Sequence, residues 1–147
     1  MGLDISTENH SFRAGSYSGF TDFRDWLAKQ IGYENSNDYW NKNSVELKEW
    51  NNKQGMSKGA KDVILGPIMG HSDCDGFIPA KCLPKLKKEL EDIKNKLISE
   101  DKWSDLVADA FTGSEDENDS YDEEEWNQLK LHDWILACDS KYRIEFH

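Results

Sequence analysis

The most regular pattern in the chain is an apolar stripe at helical spacing that begins at Leu83. Leucine or isoleucine recurs at steps of three and four residues, while lysine and glutamate fill most of the positions between them. The stripe consists of Leu83, Leu86, Leu90, Ile93 and Leu97. This spacing places the apolar side chains on one face of an α-helix. We therefore predict an amphipathic helix from about Leu83 to Ser99 that packs its stripe into the core.

Shorter patterns near both ends of the chain predict strands. Leu3 and Ile5 alternate with Asp4, and the terminal KYRIEF alternates apolar with charged residues, with Tyr142, Ile144 and Phe146 on one face. Helical spacing recurs over residues 21–31, 103–111 and 126–138, with Thr21 as the predicted cap of the first helix. The predicted fold class is α+β, with helices packed on a small sheet of short strands from both ends of the chain.

Length and cysteine content bound the domain organisation and the compartment. A chain of 147 residues with 37% hydrophobic residues predicts one domain, 1–147, with a core of its own. Its three cysteines are an odd number, and no apolar signal region or long apolar run occurs. We therefore expect a cytoplasmic protein without a membrane span.

The charge balance narrows the choice of partners. Twenty-nine acidic and eighteen basic residues leave a formal charge of -11, which argues against direct binding to nucleic acid, because phosphate recognition needs clustered lysine and arginine. A basic protein is the better match. The acidic residues concentrate between Glu115 and Glu125, and their mutual repulsion predicts an acidic loop at residues 113–125.

The segment HSDCDGFIPAKC, residues 71–82, combines side chains that bind metal ions. Imidazole and thiolate are the donors that zinc prefers, and His71, Cys74 and Cys82 supply three of them from one short segment. Asp4 is our predicted fourth ligand, because a carboxylate between two aliphatic residues on a strand needs a partner. The segment therefore predicts a structural zinc site rather than a plain turn.

Other ligands, another metal and a catalytic role remain alternatives. The fourth donor can instead be Asp73 or Asp75, or the more remote His132 or Cys138. Asp73 and Asp75 also stand where a calcium-binding loop has carboxylates, but the ends of that loop would be histidine and cysteine. A zinc hydrolase would use one of these two aspartates as its base. We expect no enzyme, because the chain contains no recognised zincin or deaminase motif.

Several segments resemble a family of small, mostly uncharacterised bacterial and phage proteins. They are MGLDIS at the start, YSGFTDFRDWLAKQIG after it, HSDCDG in the middle and an IEF-type strand at the end. Family members often carry an acidic residue after DCDG, and this chain has Phe77 there. The resemblance thus implies a phage or bacterial origin and speaks further against calcium.

Size, acidity and the metal-type segment also make the chain similar to some anti-CRISPR proteins, in particular zinc-containing inhibitors of type II effector nucleases. This similarity implies a protein-binding inhibitor whose partner is a basic, nucleic-acid-handling nuclease. Such a nuclease has positively charged channels for nucleic acid, and an acidic protein bound in or beside them excludes the target DNA.

Overall fold

The computed structural model describes residues 2–110 and 121–147, and its elements confirm the α+β class. The strands are β1 (Gly2–Ser6), β2 (Ser11–Ser16), β3 (Trp50–Asn51), β4 (Met56–Ser57), β5 (Gly76–Pro79) and β6 (Arg143–Phe146). The helices are α1 (Tyr17–Gln30), α2 (Ser36–Lys42), α3 (Ser44–Leu47), α4 (Gly66–Met69), α5 (Leu83–Ser99), α6 (Asp105–Ala110) and α7 (Glu123–Ala137). Among the residues described, no helix is long and apolar enough to cross a membrane.

The main sheet has four antiparallel strands in the order β2-β1-β6-β5. Strands from the two ends of the chain therefore pair side by side, as predicted. In β1, Leu3 and Ile5 are buried and Asp4 is exposed, which is the alternation expected of a strand with one covered face. The edge strand β5 comes from the middle of the chain, inside the segment predicted to bind metal.

Helix α5 occupies the predicted range and buries the predicted stripe. Every stripe residue is at most 5% exposed. Burial of each such side chain contributes roughly 1.5–3 kcal/mol before entropy is counted. The opposite face is solvated, and its lysines and acids pair at i,i+4 spacing, as in Lys88 with Asp92 at 3.1 Å.

An aromatic cluster holds the helices against the sheet. Trp134 of α7 is fully buried, and its ring lies 5.6 Å from that of Phe12, 6.3 Å from Phe20 and 5.8 Å from Phe146. These partners belong to β2, α1 and β6. The cluster therefore fixes α1 and α7 beside each other on one face of the sheet.

The structure differs from the predicted elements at three places near the chain ends. Residues 10–19, which the Ser/Gly/Tyr-rich sequence HSFRAGSYSG predicts as loop, contain all of β2 and the start of α1. Helix α1 starts earlier because Ser16, rather than Thr21, caps it by accepting a first-turn backbone N–H at 3.0 Å. Tyr142 is 71% exposed instead of half-buried, because β6 begins only after it.

The acidic interval 113–125 is loop over less of its length than predicted. Residues 113–120 lie outside the described part of the chain. Glu123, Glu124 and Glu125 form the first turn of α7, and Asp122 is its N-cap. Asp122 and Glu125 bond reciprocally in a capping box, and carboxylates are stabilised at a helix N-terminus. This local stabilisation offsets the charge repulsion on which the loop prediction depended.

Candidate functional site

The segment from His71 to Gly76 is bound through its backbone to the turn between β3 and β4. The Ser72 N–H donates to the Gly55 carbonyl at 2.6 Å, and the Phe77 N–H donates to the Gln54 carbonyl at 2.9 Å. Gly55 and Gly76 both have positive φ, 67° and 101°, and their backbones touch. Only glycine combines this conformation with so close an approach. The HSDCDG segment therefore joins the middle of the chain to the β3–β4 turn through backbone contacts.

His71 lies inside the protein rather than at a surface site. Its side chain stacks on Phe146 of β6 with the ring centroids 3.6 Å apart, and the residue is only 3% exposed. The Nδ1–H donates to the Ser72 carbonyl at 2.9 Å, so Nε2 carries the lone pair. Nε2 is buried and has no hydrogen-bond partner in the described residues. Burial lowers the pKa of His71, so the ring is neutral in the folded protein at pH 7.

Arg24 of α1 supports the same segment and was not predicted from the sequence. Its guanidinium donates to the Ile68 carbonyl at 3.0 Å and to the His71 carbonyl, and it lies 4.1 Å from the centre of the Phe20 ring. Burial lowers the Arg24 pKa to about 10, which leaves it charged at neutral pH. The sequence does contain a signal, because Phe20, Arg24 and Leu27 share one face of α1.

The other predicted zinc ligands have different neighbours. Asp4 is exposed and pairs with Arg13 at 3.2 Å. Cys74 is exposed, with its sulfur 3.3 Å from the Ser72 hydroxyl. Cys82 is buried at the start of α5, and burial raises the pKa of its thiol.

The described geometry brings no metal centre together. In residues 2–110 and 121–147, no three His, Cys, Asp or Glu side chains are grouped so that they would hold an ion. The orientation of His71, with Nδ1–H on a carbonyl and Nε2 free, does match that of a metal-binding imidazole. A single imidazole donor does not make a metal site. The zinc assignment stays a prediction, and elemental analysis of the purified protein decides it.

Burial of His71 predicts a loss of stability in mild acid. The unfolded chain takes up a proton at this residue near pH 6.5, whereas the folded chain, with its lowered pKa, resists protonation. The free energy of unfolding should therefore be greatest above pH 6.5 and fall as the pH falls below it. Urea unfolding at pH 7 and pH 5 measures this loss, and His71→Gln should reduce it.

His132 contributes in the same direction, because burial lowers its pKa to about 4. His132→Gln should therefore also reduce the loss of stability between pH 7 and pH 5, whereas the exposed His147→Gln control should retain it. If both variants lose as much free energy of unfolding between pH 7 and pH 5 as the wild type does, burial of these two histidines is not the cause of the loss.

A second candidate site is an acidic groove between α1 and α7. Its cavity of about 490 Å³ is lined by the carboxylates Asp22, Asp25, Glu123 and Glu124, with Lys29, Trp26, Gln30 and Asn127 completing the wall. The Trp26 Nε1–H donates to Glu124 Oε2 at 2.6 Å and so fixes the two helices together. Four carboxylates against one ammonium make the groove attractive to cations.

An aromatic pair with one exposed member lies at the start of α7. Trp126, on the first turns of α7, is 51% exposed, and its ring lies edge-on to Tyr121 at 5.2 Å. Tryptophan and tyrosine supply much of the binding energy at protein interfaces. Helix α7 therefore supplies two carboxylates of the groove and an exposed indole as well.

Comparisons with protein-family models, with curated proteins and with solved structures give no match for this chain.

Proposed function

We propose that this chain is a protein-binding inhibitor whose partner has a basic surface, and that the α1–α7 groove with Trp126 is its contact surface. The observation that carries the proposal is the position of a half-exposed tryptophan on the helix that supplies two carboxylates to the groove. Charge guides the approach of a basic partner, and the indole contributes most of the contact energy.

The charge of the whole chain supports a basic partner. A formal charge of -11 creates a long-range negative potential, which raises the rate of encounter with positively charged surfaces. Within the groove, each of the two helices contributes two carboxylates. A lysine or arginine side chain of a partner would enter this cavity and exchange its hydration shell for carboxylate oxygens.

The partner we propose is a type II CRISPR effector nuclease in the cytoplasm of the host cell. Such a nuclease holds its nucleic acids in positively charged channels, and the chain would block the use of target DNA by binding in or beside one. The similarity in size and acidity to type II anti-CRISPR proteins supports this choice. The chain itself performs no chemistry in this proposal.

The groove is tested by neutralising the two of its carboxylates that do not cap or cross-link a helix through a hydrogen bond. Asp122, Glu124 and Glu125 cap or cross-link α7, so their replacement would disturb the fold. Asp22 and Glu123 are exposed and, among the described residues, their side chains have no hydrogen bond or ion pair. Asp22→Asn with Glu123→Gln is therefore the test variant.

We expect this double variant to slow association with the guide-loaded nuclease several-fold and to leave dissociation near the wild-type rate, because long-range charge acts mainly on encounter. The control is Glu34→Gln with Glu46→Gln, which removes the same charge from two exposed positions, one in the loop before α2 and one in α3. Stopped-flow or surface-based kinetics gives both rates. Equal slowing by the two double variants would show that net charge, not the groove, guides binding.

A further inference from the structure

We propose that a lysine-lined cleft at the start of α5 binds a small organic phosphate. Two cavities, of about 290 and 310 Å³, share Lys61, Lys81 and Cys82 in their walls. Together they reach the size of ordinary small-molecule sites, which is roughly 300–1,000 Å³. The proposal concerns a different surface from the α1–α7 groove and does not depend on the proposed function.

The cleft is positively charged in a strongly acidic protein. Four lysines line the two cavities, Lys58, Lys61, Lys81 and Lys85, against two carboxylates, Asp62 and Glu89. The lining thus carries a formal charge of about +2, while the chain carries -11. A dianion matches this local charge, and lysine is a common ligand of phosphate.

Two of the four ammonium groups are available to a ligand. Lys85 is held by Glu89 at 3.4 Å and by the Lys61 carbonyl at 3.2 Å. Lys58 lies 3.9 Å from Glu49. Across the described residues, neither Lys61 nor Lys81 has a carboxylate within ion-pair distance or a side-chain hydrogen bond.

Lys61 and Lys81 come from separate segments and share the walls of both cavities with the thiol of Cys82. Burial raises its pKa, and the ammonium groups of Lys81, Lys61 and Lys85 oppose that increase. Two separate segments of the chain therefore bring positive charge to the same cleft. Helix α5 also begins here, at Leu83, and no side chain of the described residues caps it, so its N-terminus adds partial positive charge.

The remaining walls indicate an organic phosphate rather than a bare ion. Pro67 and Leu86 form apolar surface in one cavity, and Met56 and Pro79 do so in the other. The second cavity also contains Asn51 and Gln54, whose amides donate and accept hydrogen bonds. A phosphoryl group at Lys61 and Lys81 would leave these walls for the body of the ligand.

Adenosine monophosphate is a suitable probe, with adenosine as its uncharged comparison. Titration of the ¹⁵N-labelled full chain at constant ionic strength should give saturable shifts of the amides of residues 58–62 and 80–86. Adenosine should shift them weakly or not at all. Lys61→Gln with Lys81→Gln should weaken binding of the monophosphate at least tenfold.

The control is Lys48→Gln with Lys96→Gln, an equal change of charge at two exposed lysines outside the cleft. It should bind within about twofold of the wild type, which corresponds to about 0.4 kcal/mol. Equal weakening in both double variants, or shifts that do not saturate, would overturn the proposal. A single-stranded oligonucleotide that bound more tightly than the monophosphate would also overturn it, since the ligand would then be a polymer.

Discussion

Replacing Gly76 with alanine is expected to remove about 3 kcal/mol or more from the free energy of unfolding. A Cβ at this position would lie 2.8 Å from the Gly55 Cα and closer still to the Gln54 carbonyl oxygen. Both obstacles are backbone atoms, so the two segments would have to separate. The positive φ of 101° adds strain of about 1–2 kcal/mol for any residue with a side chain.

Gly32→Ala is the matched control for this substitution. Gly32 has nearly the same φ, 98°, but a Cβ there meets no atom of the described residues within 4 Å. Gly32→Ala should therefore lower the free energy of unfolding only through backbone strain, by about 1–2 kcal/mol. Urea denaturation of the two variants and the wild type separates strain from steric contact. Equal losses in the two variants would contradict the close backbone contact between residues 54–55 and 75–76.

Trp126→Ala is expected to lower the affinity for the guide-loaded type II nuclease at least tenfold, mainly through faster dissociation. A tenfold loss corresponds to about 1.4 kcal/mol, which is modest for truncation of a tryptophan at the centre of an interface. Because 51% of this side chain is exposed in the free protein, the substitution should change the free energy of unfolding by about 1 kcal/mol or less.

Trp50→Ala is the control, because Trp50 is 40% exposed and belongs to β3, away from α1 and α7. It should bind the nuclease as the wild type does. If both tryptophan variants bind the nuclease as tightly as the wild type, Trp126 contributes nothing to the interface. The proposed contact surface is then wrong. If both lose affinity equally, the effect is not specific to the groove.

The elements that follow a strict period could be predicted from the sequence. Helix α5 has the predicted limits, because its stripe keeps spacings of three and four from Leu83 to Leu97. Strand β1 was predicted for the same kind of reason, by strict alternation. Strand β5 was not, because GFIP is four residues long and its partner β6 lies some seventy residues later in the chain.

Capping signals in the sequence explain other differences. Asp122 and Glu125 stand three residues apart before an apolar run, which is the signature of a capping box. The dense run of carboxylates favours a loop when charge alone is considered, and it so conceals the capping box. Ser16 likewise caps α1 although a second candidate, Thr21, stands closer to the most regular part of the helix. Local hydrogen bonding, rather than composition, decides where these helices begin.

The candidate sites depend on contacts between distant segments, which a sequence pattern does not contain. His71 lies against Phe146, seventy-five residues later, and this contact buries its ring. The glycine of HSDCDG is explained by its contact with Gly55, another long-range pairing. The lysine cleft likewise combines residues 58–61 with residues 81–85. The net negative charge of the chain gives no indication that four lysines lie together in this cleft.

The affinity of the wild-type chain for a purified, guide-loaded type II nuclease tests the proposed function most directly. Titration calorimetry, with cleavage of target DNA measured in parallel, gives both binding and inhibition. We expect a dissociation constant in the micromolar range or tighter, weaker binding at higher salt because the partners carry opposite charge, and inhibition that follows occupancy. Absence of binding by the folded protein, across nucleases from several bacteria, would contradict the account.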